Sequence, residues 1–373
     1  IIVILCFMAQ DLLTPHFNQV MHRYSEYVGN VTQDKFKYTV KALVFTLIYS
    51  IFKPLPILLA GIILFDSSNN FTHAIGAGVL SIGVVYLIYQ FAFILSQDKG
   101  ILISHFGRPK DLIQDSHDKL KTLMIFSLPV IGILGFTEAI DNTTLRNSIG
   151  RGAFIFFCYL LWLMYKFLLS AIQQYRSDRH DNLNMKMFQK IMWTILLSAP
   201  IISAVLSVIG YYYTAFQMLI QLQISILFGF GFLLAYQLIK RWMLIERRLI
   251  AFDRAKAKRA ERIALREKED ASDIESLDNY EEPVVDLETI SSQSLGLVRS
   301  LLILAFFATT LAWLSQTHTA LLPFLDGITL WTTTTNLNGI EQLLPITLKS
   351  LFVSGIIIGL SVMISRNLPG LLE

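Results

Sequence analysis

The sequence predicts an all-α fold: a polytopic transmembrane helix bundle of about eight full spans, preceded by a truncated N-terminal helix. Three observations predict it. Apolar stretches near the length of a bilayer-crossing helix recur along the chain. Lys and Arg crowd into alternate connecting segments. The composition also suits a lipid solvent: 54% of residues are hydrophobic and only 16% are charged, against roughly 25% charged in a soluble domain. A water-soluble chain of 373 residues could not hide that much apolar surface, and mean hydropathy is +0.54.

The chain opens inside an apolar run, Ile1-Ile2-Val3-Ile4-Leu5-Cys6-Phe7. Such a run cannot cross a bilayer, which takes about 20 residues. Residue 1 therefore reads as a cut through a helix, at or near the outer face. Full spans follow near 42–65, 74–95, 122–138, 152–172, 191–214, 218–239, 298–316 and 346–364. The third contains Pro129, which predicts a tilt or kink. The fifth and sixth are joined by almost nothing, around Tyr213 to Gln217, and read as a tight helical hairpin.

Orientation comes from the cations. Segments 10–41, 96–121 and 173–190 carry four, five and four Lys or Arg, and 240–268 carries eleven. Arg299 and Arg366 fall on the same side. The opposite loops hold only Arg146 and Arg151, and segments 66–73 and 317–345 hold none. The expected location is a bacterial inner (cytoplasmic) membrane, multi-pass, with the C-terminus cytoplasmic.

The chain divides by charge into 1–239, N-terminal transmembrane helices; 240–297, a cytoplasmic polar segment; and 298–373, two further helices. In the polar segment, Trp242, Ile245, Leu249 and Phe252 form one helical stripe. Around it lie Lys240, Arg241, Arg247, Arg248, Arg254, Lys256, Lys258 and Arg259. This predicts a basic amphipathic helix running off the sixth span. It is either a topological anchor or a contact for anionic phospholipid headgroups. Nucleic acid is not expected, because headgroups are the nearest polyanion. Asp270 to Glu288 then carries eight acidic residues and no basic one, interrupted by Pro283, and reads as a flexible loop.

No catalytic constellation is present, and no enzyme, cofactor or metal site is expected. Seven histidines are scattered, without a His-Glu-x-x-His or Cys-x-x-Cys pattern. Cys6 and Cys158 sit in apolar runs as small hydrophobes. Asn30, Asn70 and Asn142 open Asn-x-Thr sequons, a weak pattern, since the first is expected to be cytoplasmic. Gly355 and Gly359 match a helix-packing spacing that is common in apolar helices. No Asp or Glu lies mid-span, which counts against an ion-coupled transporter. Lys166 and Lys349 sit close enough to helix ends to snorkel. Lys53 lies about 16 Å into its span, and Pro54 and Pro56 follow it. The prolines free the carbonyls of Ser50 and Phe52, to which Lys53 could donate. The alternatives are a structural kink and a functional hinge or lipid-headgroup site.

Specific strings carry a resemblance. They are Val31-Thr32-Gln33-Asp34, His105-Phe106-Gly107-Arg108-Pro109, Arg241-Trp242-Met243-Leu244-Ile245 through Phe252-Asp253-Arg254-Ala255-Lys256, Gln293-Ser294-Leu295 with Val298-Arg299-Ser300, and Arg366-Asn367-Leu368-Pro369-Gly370-Leu371-Leu372-Glu373. With these in order across nearly the whole chain, it resembles the membrane region of the large, many-helix MscK/MscM type of the MscS mechanosensitive channel superfamily. The resemblance implies a membrane-tension sensor in a channel that protects against hypo-osmotic shock. It also implies a homo-oligomer, a heptamer, once a pore helix and a cytoplasmic vestibule are present. Span 346–364 looks like the first core helix, and the pore helix and vestibule are expected beyond Glu373. Two other readings stand beside it: a polytopic transporter or permease subunit with a broken first helix, and a non-conducting truncated membrane protein.

Overall fold

The computed structural model describes residues 2–30, 32–178, 187–269, 287–317, 327–337 and 340–367. They form two compact units, Ile1–Leu222 and Gln223–Glu373. The division falls inside one long helix, whereas the boundaries at 239–240 and 297–298 were drawn by charge. Most of the expected acidic loop, residues 270–286, and the end of the final string, residues 368–373, lie outside the described residues.

In the first unit, α1 is Ile2–Glu26, α2 Phe36–Ile51, α3 Leu55–Phe65, α4 Asn70–Leu95, α5 Ile101–Ser104 and α6 Lys110–Ala139. A short α7, Thr143–Leu145, passes through a π turn, Arg146–Gly150, into α8, Arg151–Asp178. Next come α9, Met187–Ile209, and the start of α10, Tyr212–Glu269. Asn142 of one sequon, and Asn69 beside another, serve as caps. Asn69 Oδ1 accepts from the N–H groups of Phe71 and Thr72 at the start of α4, and Asn142 Oδ1 accepts from Leu145 N–H. Each satisfies an N–H that has no partner within its helix.

The turn between α9 and α10 corrects the expected hairpin. It lies at Gly210 and Tyr211, ahead of the Tyr213–Gln217 position. Tyr211 N–H reaches Leu206 O at 2.9 Å, and Gly210 N–H reaches Ser207 O at 3.3 Å. This pair is a Schellman motif, which needs a left-handed residue at its C′ position. Gly210 supplies it, with φ of 122°. A helix end at Gly210 outweighs apolar continuity as a boundary signal.

The second unit holds the rest of α10, with α11, Leu287–Thr317, and α12, Leu348–Asn367. Phe228 and Phe232 of α10 meet Trp313 and Phe306 of α11 edge to face. The all-α class holds, and between α11 and α12 lies an antiparallel β-hairpin that the span pattern does not predict, β1 Thr329–Leu337 and β2 Ile340–Thr347. Its register pairs Leu337 with Ile340, leaving Asn338-Gly339 between the strands. Asn-Gly flanked by a β-branched run is a strong hairpin signal, and Thr332 to Thr335 provide such a run.

Among the described residues, five helices are long and apolar enough to cross a membrane: α4, α6, the α7–α8 helix, α9 and α10. They number up to six when α2 and α3 count as one crossing. The apolar part of α11, Leu295–Thr310, is shorter than these. The count of eight is therefore two above what the described residues carry by length and composition.

Candidate functional site

The pair α2–α3 is built inside out. Thr39, Ala42, Thr46 and Ser50 form the buried face of α2, while Val44, Leu47, Ile48 and Ile51 are exposed. In water this would be an unstable arrangement, and in lipid it is the expected one. Hydrocarbon solvates the apolar face, and small or hydroxyl residues let helices approach closely. Two hydroxyls are satisfied within the helix, Thr46 donating to Ala42 O at 2.8 Å and Ser50 to Leu47 O at 2.7 Å, while Thr39 Oγ1 pairs with His105 Nδ1 at 3.1 Å. Such back-bonding slightly loosens a helix.

Immediately after Ser50 the span breaks, and α3 leaves α2 at an angle of 53°. Pro54 caps α3 and Pro56 lies in its first turn. Those positions need no N–H donor, so proline restarts a helix there instead of disrupting one. The ladder resumes with Leu58 N–H to Pro54 O at 2.9 Å. Both prolines are buried and Lys53 is exposed. Among the described residues Lys53 makes no hydrogen bond or ion pair, so the expected donation to the carbonyls of Ser50 and Phe52 is not seen. Lys166 places its ammonium over the Trp162 ring, 5.1 Å from the centroid.

Glycines clamp α3 and α6 onto α4. A Cβ on Gly76 would overlap the backbone of Leu64 and Phe65, and one on Gly61 would lie 2.7 Å from Leu80 N. On the other side, a Cβ on Gly78 would lie 2.7 Å from Gly132 O, and one on Gly135 would lie 3.0 Å from Ala77 O. These are backbone neighbours, which cannot step aside. Gly76 and Gly78 lie two residues apart on α4 and serve different partners. The expected pair Gly355 and Gly359 is not part of this clamp. A Cβ at Gly355 would meet nothing within 4 Å, and the side-chain environment at Gly359 lies outside the described residues.

A second junction joins the ends of α6, α8 and α10. Tyr212 OH donates to Glu138 Oε1 at 2.7 Å across 74 residues of sequence. Tyr212 is 2% exposed, Phe154 is 0% exposed, and their rings meet edge to face at 5.5 Å. Gly150, the last residue of the π turn, sits where a Cβ would lie 2.9 Å from Thr137 Oγ1. Sequence reasoning found neither junction. Their signals are the glycine spacing along α3, α4 and α6, and a carboxylate, Glu138, in the last turn of an apolar helix.

The cation-rich part of α10 continues its span without a break to Glu269. Lys240, Arg248, Arg254, Lys256, Lys258 and Arg259 are exposed, Arg247 is half-buried and Arg241 is buried. The stripe is largely open too: Trp242, Leu249 and Phe252 are exposed, and Ile245 is half-buried. Among the residues described, no cluster of His, Cys, Asp and Glu could hold a metal ion.

Comparison with known proteins bears on this architecture. The family model described as mechanosensitive ion channel inner membrane domain 1 matches residues 1–331. The miniconductance mechanosensitive channel MscM of Escherichia coli (strain K12) is 33% identical over 369 residues, covering 96% of this chain and 33% of that protein. The mechanosensitive channel MscK of the same organism is 26% identical over 352 residues, covering 93% and 30%. An uncharacterized MscS family protein of Haemophilus influenzae is 23% identical over 319 residues, covering 84% and 28%. The chain thus spans about a third of the length of the curated relatives it matches. Helices that turn apolar faces outward, a glycine-clamped scaffold and a family model over most of the chain agree, and the chain belongs to the MscS mechanosensitive channel family as a membrane region of the MscM and MscK kind.

Proposed function

We propose that these helices are the tension-sensing membrane region of an inner-membrane mechanosensitive channel that protects cells from hypo-osmotic shock. The observation that carries the reading is the α2–α3 pair, a lipid-facing span broken by 53° and held on a rigid scaffold. Tension thins and widens a bilayer, which changes the hydrophobic mismatch along a bent span. A bent span covers less thickness and more area than a straight one. Tension therefore favours whichever bend angle occupies more area, and the population shifts toward it. The clamp of α3 and α6 on α4 would carry that shift as a body, so that it is not lost in local slack.

In this proposal α11 and α12 also cross the membrane, giving eight crossings and a cytoplasmic C-terminus. The alternation of Lys and Arg supports this orientation. Span seven, in α11, belongs with the sensor helices and α12 acts as the first core helix. The pore and its vestibule are assigned to sequence outside these 373 residues, and assembly as a heptamer depends on them. Lys53 with Pro54 and Pro56 serves as the hinge. The exposed cations of the α10 extension contact anionic headgroups.

The test is patch-clamp recording of the full-length gene product in cells lacking other such channels. A tension-gated current whose threshold moves when Pro54 and Pro56 are replaced supports the reading, and absence of any tension-gated current sinks it.

A further inference from the structure

One set of alternate loops is almost free of Lys and Arg, and both exceptions lie at one place: Arg146 and Arg151 bound the π turn that opens α8. In an α-helix, residues five apart point well away from each other. Here Arg151 N–H bonds to Arg146 O, the i to i+5 pattern of a π turn, which brings the two positions toward one face. Both side chains are half-buried.

Among the described residues neither guanidinium makes a direct ion pair, and Arg151 Nε is buried with no hydrogen-bond partner. Two carboxylates are near in sequence. Glu138 is engaged by the Tyr212 hydroxyl at 2.7 Å, and Asp141 is exposed and unpaired. A partly desolvated guanidinium calls for an anion, and its planar fork matches phosphate oxygens.

We propose that Arg146 and Arg151 form a binding site for a phosphate group, supplied by the headgroup of a phospholipid in the leaflet that this turn meets. It rests on the membrane reading above for the depth of the turn, but not on tension gating. The site differs from the α10 extension in kind. It has two half-buried cations at a helix junction, where the extension has a row of exposed ones.

The experiment uses the full chain, purified in detergent, with stepwise delipidation followed by native mass spectrometry. The proteins are wild type, R146Q/R151Q, R146K/R151K and, as a control, K256Q/K258Q/R259Q. Wild type should keep a tightly held phospholipid adduct that R146Q/R151Q loses by about tenfold or more. R146K/R151K, which keeps the charge without the fork, should hold an intermediate amount and shows that loss does not simply mean misfolding. The K256Q/K258Q/R259Q control should keep this adduct. Inorganic phosphate is added in a parallel arm. If it displaces the lipid from wild type, the site stands with free phosphate as an alternative source of the same group. Equal retention by wild type and R146Q/R151Q, or loss in all three variants alike, would overturn the proposal. The assay applies no tension, so its failure leaves the channel reading intact, and a missing tension-gated current leaves this site intact.

Discussion

The α3–α4–α6 clamp and the α10 extension beyond Lys240 are both helical, and they are stabilised in opposite ways. In the clamp, backbones approach until no Cβ fits, and apolar side chains such as Ile62, Ile63 and Phe126 point outward. In the extension, residues 248–263 are all exposed, and the sequence is rich in Arg, Lys, Glu and Ala. Lipid removes the hydrophobic drive for one apolar helix to bury against another, so close contact and fit must hold the clamp together. Water allows a helix of good formers to stand largely on its own residues, with i, i+3 opposite-charge positions such as Asp253–Lys256 and Lys258–Glu261. A substitution that is neutral in one region should therefore be severe in the other.

The largest effect is expected at Gly76. Gly76→Leu should force α3 off α4 and cost at least about 3 kcal/mol, seen as a collapse of the melting midpoint in fluorescence-detected size-exclusion chromatography. Gly152→Ala, where a Cβ meets nothing within 4 Å, should leave that midpoint unchanged. Equal outcomes for the two would break the comparison.

Next comes the Glu138–Tyr212 bond, a polar contact in the same unit. Tyr212→Phe should cost about 1–2 kcal/mol, because it also leaves a carboxylate without its donor. Glu138→Gln on top of it should add little, since one bond can be lost only once. A fully additive double-mutant cycle would show that the two residues act separately.

Lys53→Ala should change stability by less than about 0.5 kcal/mol, because the side chain is exposed and makes no bond. Its effect should appear in the tension threshold of the full-length protein. If the threshold is unmoved while Pro54→Ala/Pro56→Ala moves it, the hinge belongs to the prolines alone.

The smallest effect on the fold should come from K256Q/K258Q/R259Q, again within about 0.5 kcal/mol in neutral lipid. In bilayers with anionic lipid, wild type should gain stability that the variant lacks, and roughly 1 M salt should abolish the gain. A gain that survives high salt would mean that the exposed stripe of Trp242, Leu249 and Phe252, and not charge, makes the contact.

Much of this was legible beforehand because the bilayer imposes a one-dimensional code. A span must be long and apolar, and cations must alternate. Those rules place α4, α6, α8 and α9 near their observed positions, and proline chemistry at Pro54 and Pro56 marks the bend between α2 and α3. Gly210 is a helix-end signal and Asn338-Gly339 a hairpin signal in the sequence, but neither follows from the length and apolarity that define a span.

Sequence by itself determined the class of solvent, the family-bearing strings, the site of the broken span and the basic run of α10. Each depends on local composition or on spacing within one helix. Tertiary structure alone decided which glycines matter. Gly76, Gly78 and Gly355 look alike in sequence, and only the position of a second backbone makes the first two irreplaceable and leaves the third open. It also decided that Glu138 meets Tyr212 across 74 residues. Pairings of that kind come from how helices pack against one another, and no periodicity within one helix encodes which residue of another it will meet.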